Sequence, residues 1–287
     1  RYADTRVQKF QAAELAARLT FAEGHPTLTQ LWLRRAVQNA PTPEIEEQLA
    51  RDYARVRREN PFRFSITGGV KPSSNVNNGA DTAQQVIDGL PFTGRLSGSA
   101  QALSGIVGTV DAVVGYRLRS TQKTRTDLSG RLFVQRVALD SGSHDLAPEA
   151  RNSDFGATYA DVSLRQSFAV GAAGGSADVT GSLGEYWSGG DRSYSFMRVG
   201  VGRRWQLSAS TSVSMGATLE KRFSERTSYF DSNTVSLIVG SQHRLAWGDG
   251  IGVSVNLRET DSDFVNYASQ AASLRLSYSF ADQIGPA

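Results

Sequence analysis

From Phe62 to Phe280 the chain alternates apolar and polar residues with a period of two, in runs mostly above ten residues long. Successive side chains leave a strand on opposite sides, so this pattern builds sheet with one apolar and one polar face. The first run, "FRFSITGGV", sets Phe62, Phe64, Ile66 and Val70 against Arg63, Ser65 and Thr67. Over 106–119, Val110, Ala112, Val114, Tyr116 and Leu118 alternate with Thr109, Asp111, Arg117 and Arg119. A third run sets Leu128, Leu132 and Val134 against Asp127, Ser129, Arg131 and Gln135. In the fourth, Ala160, Val162, Leu164 and Phe168 oppose Asp161, Ser163, Arg165 and Ser167. Further runs near 176–187, 193–206, 210–222, 234–246, 250–259 and 267–280 bring the count to ten.

Two architectures use such strands. A soluble sandwich packs its apolar faces on a second sheet, whereas a transmembrane barrel turns them to lipid. Several features favour the barrel. The runs are long enough for the roughly 9–11 residues that a tilted strand needs to cross a bilayer. Long polar segments near 72–102, 140–153, 223–233 and 259–266 follow odd-numbered strands, and short turns such as 171–176 and 247–250 follow even-numbered ones. Outer-membrane barrels alternate long external loops with short periplasmic turns in this way. Aromatics gather near strand ends (Tyr116, Phe168, Tyr186, Trp187, Tyr194, Trp205, Trp247, Tyr278), as interfacial girdles do. The expected fold is therefore mainly β: a transmembrane antiparallel barrel of about ten strands, with twelve open because 92–103 also alternates weakly. Outer-membrane lipids would be its surroundings.

The last run, "ASLRLSYSF", places Leu274, Leu276, Tyr278 and Phe280 on one face. A terminal amphipathic strand ending in Phe resembles the signal read by the barrel-insertion machinery, with 281–287 as a tail.

Residues 1–61 have another period. They are rich in Ala, Leu, Arg, Glu and Gln, good helix formers. Leu15, Leu19 and Ala22 suggest one apolar stripe, stopped by Gly24 and His25-Pro26. Thr27 or Thr29 can cap a second helix carrying Leu31, Leu33, Ala36 and Val37. After Pro41-Thr42-Pro43, acidic Glu44, Glu46 and Glu47 open a third, with Ile45, Leu49, Tyr53 and Val56 as its stripe. Arg1 begins directly on this polar, helix-forming sequence, so a targeting segment is expected upstream of it.

Gly24, Ala36 and Pro41 are spaced like the Gly, second-helix Ala and terminal Pro of a tetratricopeptide repeat. The segment that follows, "RRENPFRFSITGGVKPSSNVNNG", runs from an Arg-rich helix end through a first strand into Ser74, Asn75, Val76, Asn77 and Asn78. This junction resembles the surface lipoprotein assembly modifier (Slam) family. The resemblance implies a periplasmic repeat segment fused to an outer-membrane barrel, usually of about fourteen strands, that helps a lipoprotein or secreted client protein reach the cell surface. Residues 1–61 would stand in the periplasm and 62–280 in the outer membrane.

Composition narrows the chemistry. Hydrophobic residues at 39% argue against disorder, and the absence of cysteine removes disulfides and thiolate metal sites. A net charge of +3 gives no reason to expect nucleic acid. Only His144, in "DSGSHD" with Asp140 and Asp145, lies in a loop that could host acid–base chemistry, and such a Ser/Gly/Asp segment reads first as a solvated loop. The Asn-rich "SSNVNNGAD" offers oxygen ligands for calcium but lacks carboxylate spacing, so it reads as turn. No catalytic residue, metal or cofactor is assigned. The charges expected on the polar, lumen-facing side are Arg63, Arg117, Arg119, Arg131, Arg165, Arg198, Arg204, Arg222, Arg244, Arg258 and Arg275, with Asp111, Asp127, Asp161, Asp178 and Glu220. They would form a salt-bridge lattice filling the barrel. A surplus of Arg biasing the lumen toward anionic segments is the alternative.

Overall fold

A computed structural model describes residues 5–86, 93–171 and 174–281. The chain divides into two compact units, Arg1–Arg63 and Phe64–Ala287.

The first unit holds three helices: α1 (Arg6–Ala22), α2 (Pro26–Gln38) and α3 (Pro43–Glu59). Thr5 starts α1 through a reciprocal capping box with Gln8, both bonds 3.2 Å. Gly24 ends it in a left-handed conformation at φ 74°. Thr42 caps α3 by accepting from the Ile45 amide, and Pro43 occupies the first turn, where its missing N–H costs nothing. The cap of α2 is His25, not Thr27 or Thr29. His25 makes no side-chain capping bond, Pro26 at the first helical position removes one amide that would need a partner, and Thr29 is instead buried, donating to the His25 carbonyl at 3.0 Å.

The buried face of α1 also differs from the stripe expected. Phe10, Ala13 and Ala17 are buried, while Leu15 and Leu19 are exposed. Small alanines allow α1 and α2 to approach closely, and Leu33, Ala36, Ala40, Leu49 and Val56 complete this core.

The second unit is built on ten antiparallel strands: β1 (Phe62–Ser73), β4 (Gly105–Ser120), β5 (Thr124–Leu139), β6 (Ala157–Ala169), β7 (Ser176–Ser188), β8 (Asp191–Gln206), β9 (Thr211–Ser224), β10 (Ser232–Arg244), β11 (Gly250–Asp261) and β12 (Ser269–Ser279). Apart from the β1–β4 connection, each strand pairs with the next in sequence, and β1 and β12 stand at the edges of an open sheet. Residues 92–103 add no strand to it among the described residues. Their segment β3 (Thr93–Arg95) pairs with β2 (Gln84–Val86) in a separate hairpin; Phe92 lies outside the described residues. The long connections expected after odd-numbered strands have one exception: Gly189 and Gly190, both at positive φ, join β7 to β8 in a two-residue turn.

The sheet is inverted relative to a soluble one. On β8, Met197, Val199 and Val201 are exposed, while Phe196 just before them, on the other face, is 3% exposed. The side of Met197 also carries exposed Val162, Leu164, Leu183, Leu219, Val255, Leu274 and Leu276. Among the described residues of this unit no second sheet packs on either face, so the apolar side is bare, while ion pairs and stacked rings gather on the polar side of β4–β9. Gly184 makes room for this packing. A Cβ there would stand 2.5 Å from the Phe196 ring, which stacks at 5.5 Å on Tyr159 two strands away. No helix is long and apolar enough to cross a membrane, a statement that leaves strands aside.

Candidate functional site

Cross-strand partners in an antiparallel pair face the same side, so the register assigns every side chain of the sheet to a face. Arg131 lies opposite Asp161 and Asp127 opposite Arg165, while Ser182 lies opposite Arg198 and Arg198 opposite Glu220. Asp111 sits opposite Phe133 on that same side. The structure thus brings Asp111, Arg131, Asp161, Arg165, Arg198 and Glu220 onto one polar face, along with Arg117 opposite Asp127.

Between β4 and β9 these charges are cross-braced. Arg131 holds Asp111 bidentately at 2.9 and 2.7 Å, and Arg165 reaches Asp178 at 2.8 Å. Tyr159 donates to Asp161 at 2.9 Å. Glu220 is the most enclosed member, its side chain 8% exposed between Arg198 and Arg222, the latter at 2.7 Å. Two planar guanidiniums compensate a carboxylate that could not be withdrawn from water alone. Arg222 also lies 4.8 Å over the Tyr194 ring and Arg198 4.9 Å over Phe196. The braced charges therefore act as a framework that keeps the polar side in shape.

Tyr186 and Tyr194, expected in an outward girdle, belong to this polar face. They stack on each other at 5.1 Å, and Tyr186 pairs with Tyr159. A register shift between Tyr186 and Trp187 accompanies the change. Trp187, Trp205, Phe168, Tyr116 and Tyr278 keep the apolar phase. Leu274, Leu276 and Tyr278 alternate with Arg275, Ser277 and Ser279 along β12, with Phe280 just beyond its end, and both sides of this edge strand are exposed.

The junction residues form a clamp over the end of β4. The Asn75 amide exchanges bonds with Gly79, 2.8 Å out and 2.9 Å back. Asn77 donates to the Ser99 and Gln101 carbonyls and accepts from the Leu103 amide at 2.9 Å. Val76 packs against a small core of Leu103, Val107, Val137, Leu139 and Ala147, while Asn78 takes positive φ. Ser74 lies in the bend that leads in. Amide oxygens already accepting from backbone N–H have little left for a cation, which gives the turn reading of this segment its physical reason.

A second clasp closes the same end. Asp140 caps α4 (Ser141–Leu146) by accepting from the Ser143 amide at 2.9 Å, and Ser104 Oγ donates to it at 2.5 Å. These bonds hold the Asp140 carboxyl below its ordinary value, the Ser104 hydroxyl foremost. The carboxylate is committed to the loop, and His144 meets Asp140 through backbone atoms alone among the bonds described. No three His, Asp or Glu side chains converge on a metal position among the described residues.

Hollows lie along the polar face. One of about 920 Å³ opens between the long-loop ends of β7–β12, walled by Tyr186, Tyr194, Arg222, Arg226, Phe230 and Tyr267. Another of about 640 Å³ lies at the short-turn end beside Arg204, Arg244 and Ser277. In the helical unit a separate groove of about 490 Å³ runs between α1 and α3, lined by Phe10, Phe21, Leu33, Gln48, Asp52 and Arg55. No family model, curated protein or solved structure matches the chain.

Proposed function

We propose that this chain is an outer-membrane translocation or assembly factor that delivers a lipoprotein or secreted protein to the cell surface. The observation that supports the membrane part is the sidedness of the sheet: its bare face is mainly apolar and its other face carries the ion pairs. In water, each exposed Val or Leu side chain forgoes roughly 1.5–3 kcal/mol of burial, a loss that lipid removes. With an even strand number, β1 and β12 run in opposite directions and can meet as antiparallel neighbours when the sheet curls shut. The residues suited to contact the insertion machinery are Leu274, Leu276, Tyr278 and Phe280 on the last strand.

Support for delivery comes from the helical unit. Its mixed polar and apolar groove is the kind of concave surface on which helical repeats take peptides, and the junction with the first strand resembles the Slam pattern. A second reading, a passive channel anchored by its helices, draws on the hollows of the polar face. Deleting residues 1–60 separates the two. Delivery predicts that the truncated chain still inserts but that client display, read by surface antibody labelling of intact cells, is lost. Undiminished display would leave the channel reading.

A further inference from the structure

The polar face is divided. Across β4–β9 Arg125, Arg131, Arg165, Arg198 and Arg222 meet carboxylates, while Arg204 donates to the Ser212 hydroxyl at 3.0 Å; across β10–β12 the same face has no acidic residue, and its side chains are small or hydroxylic apart from Ile238, Asn256, Gln242 and three arginines. The register sets those arginines at even heights. Arg258 stands on β11; Arg275 lies opposite Ser254; Arg244 lies opposite Gly250. Their levels on β11 are thus 258, 254 and 250, four residues apart, or about 13 Å per step at strand rise.

Each level has its own hollow. Arg258 borders the hollow of about 920 Å³ at the long-loop end. Arg275 borders one of about 330 Å³ midway, with Ser236, Ser254 and Ser273. Arg244 borders the one of about 640 Å³ at the short-turn end. All three side chains are exposed and enter none of the described ion pairs, unlike Arg131, Arg165 and Arg198. Free guanidiniums present a fork that matches phosphate and carboxylate, and surrounding serines add donors.

We propose that the polar face of β10–β12 is an anion ladder: three successive sites for small phosphate- or carboxylate-class anions, leading from one end of the sheet to the other. As a path across a membrane it rests on the barrel reading; as a set of anion sites it does not. Separate hollows about 13 Å apart suit one small anion each. An extended acidic chain would need an acidic residue every fourth position to use all three.

Inorganic phosphate is the probe, titrated against the purified full chain in zwitterionic detergent and followed by phosphorus NMR line broadening. Saturable broadening is expected. Arg244→Gln, Arg258→Gln and Arg275→Gln should each weaken it, and the triple variant should lose about tenfold or more in affinity. Lys123→Gln, in the β4–β5 turn, should leave it unchanged, and circular dichroism checks that each variant is folded. Phosphate broadening that is absent, or equal in the triple variant, overturns the ladder. So does binding of octaglutamate without binding of phosphate. Insertion into vesicles is scored separately: phosphate binding without insertion refutes the barrel reading and keeps the sites, whereas insertion without phosphate binding refutes the sites alone.

Discussion

Glu220 shows most directly what a single side chain contributes. Its carboxylate is the least exposed charge of the framework, and it alone joins Arg198 and Arg222. Removing it would leave two guanidiniums facing each other over an enclosed surface. Glu220→Gln should therefore destabilise the fold by about 1–3 kcal/mol, the scale of losing charge-assisted hydrogen bonds to two partly solvated guanidiniums, measured by urea unfolding in detergent or lipid. Asp140 acts differently, because it lies at the surface of a loop. Its folded pKa is lowered, so its contribution is fully present above the ordinary aspartate value of about 3.9 and is lost as pH falls through the folded value. Protection of the Ser143 amide against hydrogen exchange, taken relative to the intrinsic rate at each pH, should fall on acidification below that value. In Asp140→Ala, which has no capping acceptor, that protection should be low at every pH.

At the scale of elements, the ten strands were legible because one face is predominantly apolar and the period is fixed at two. The charges followed from the same phase. What local pattern did not carry was anything decided by contacts far apart in sequence. Asn77 holds Leu103, 26 residues on, and nothing in "SNVNNG" announces that partner. Asn77→Ala removes bonds to Ser99, Gln101 and Leu103 together and should cost about 1–3 kcal/mol, visible as faster exchange of the Leu103 amide. The stripe of α1 was misplaced for a related reason. Leu15 and Leu19 are the larger apolar residues, but close approach of α2 selects Ala13 and Ala17 for the interface. Tyr186 and Trp187 are adjacent and were both placed in a girdle, yet the polar-face stack with Tyr194 claims the first of them.

For the whole molecule, the account depends on which side of the sheet meets lipid. Closure of the open edges at β1 and β12, and a path across a membrane along the arginines of β10–β12, both require the apolar face to be outward in a bilayer. Cysteine is absent from the chain, so single cysteines can be introduced one at a time without a background. The most direct measurement places them along β8 at positions 196–202, in protein inserted into outer membrane, and attaches a spin label to each. The account predicts that labels at Met197, Val199 and Val201 are relaxed by lipid-soluble oxygen, and labels at Arg198, Gly200 and Gly202 by a water-soluble nickel chelate. Nickel accessibility at both sets, or oxygen accessibility at the second set and not the first, would contradict it.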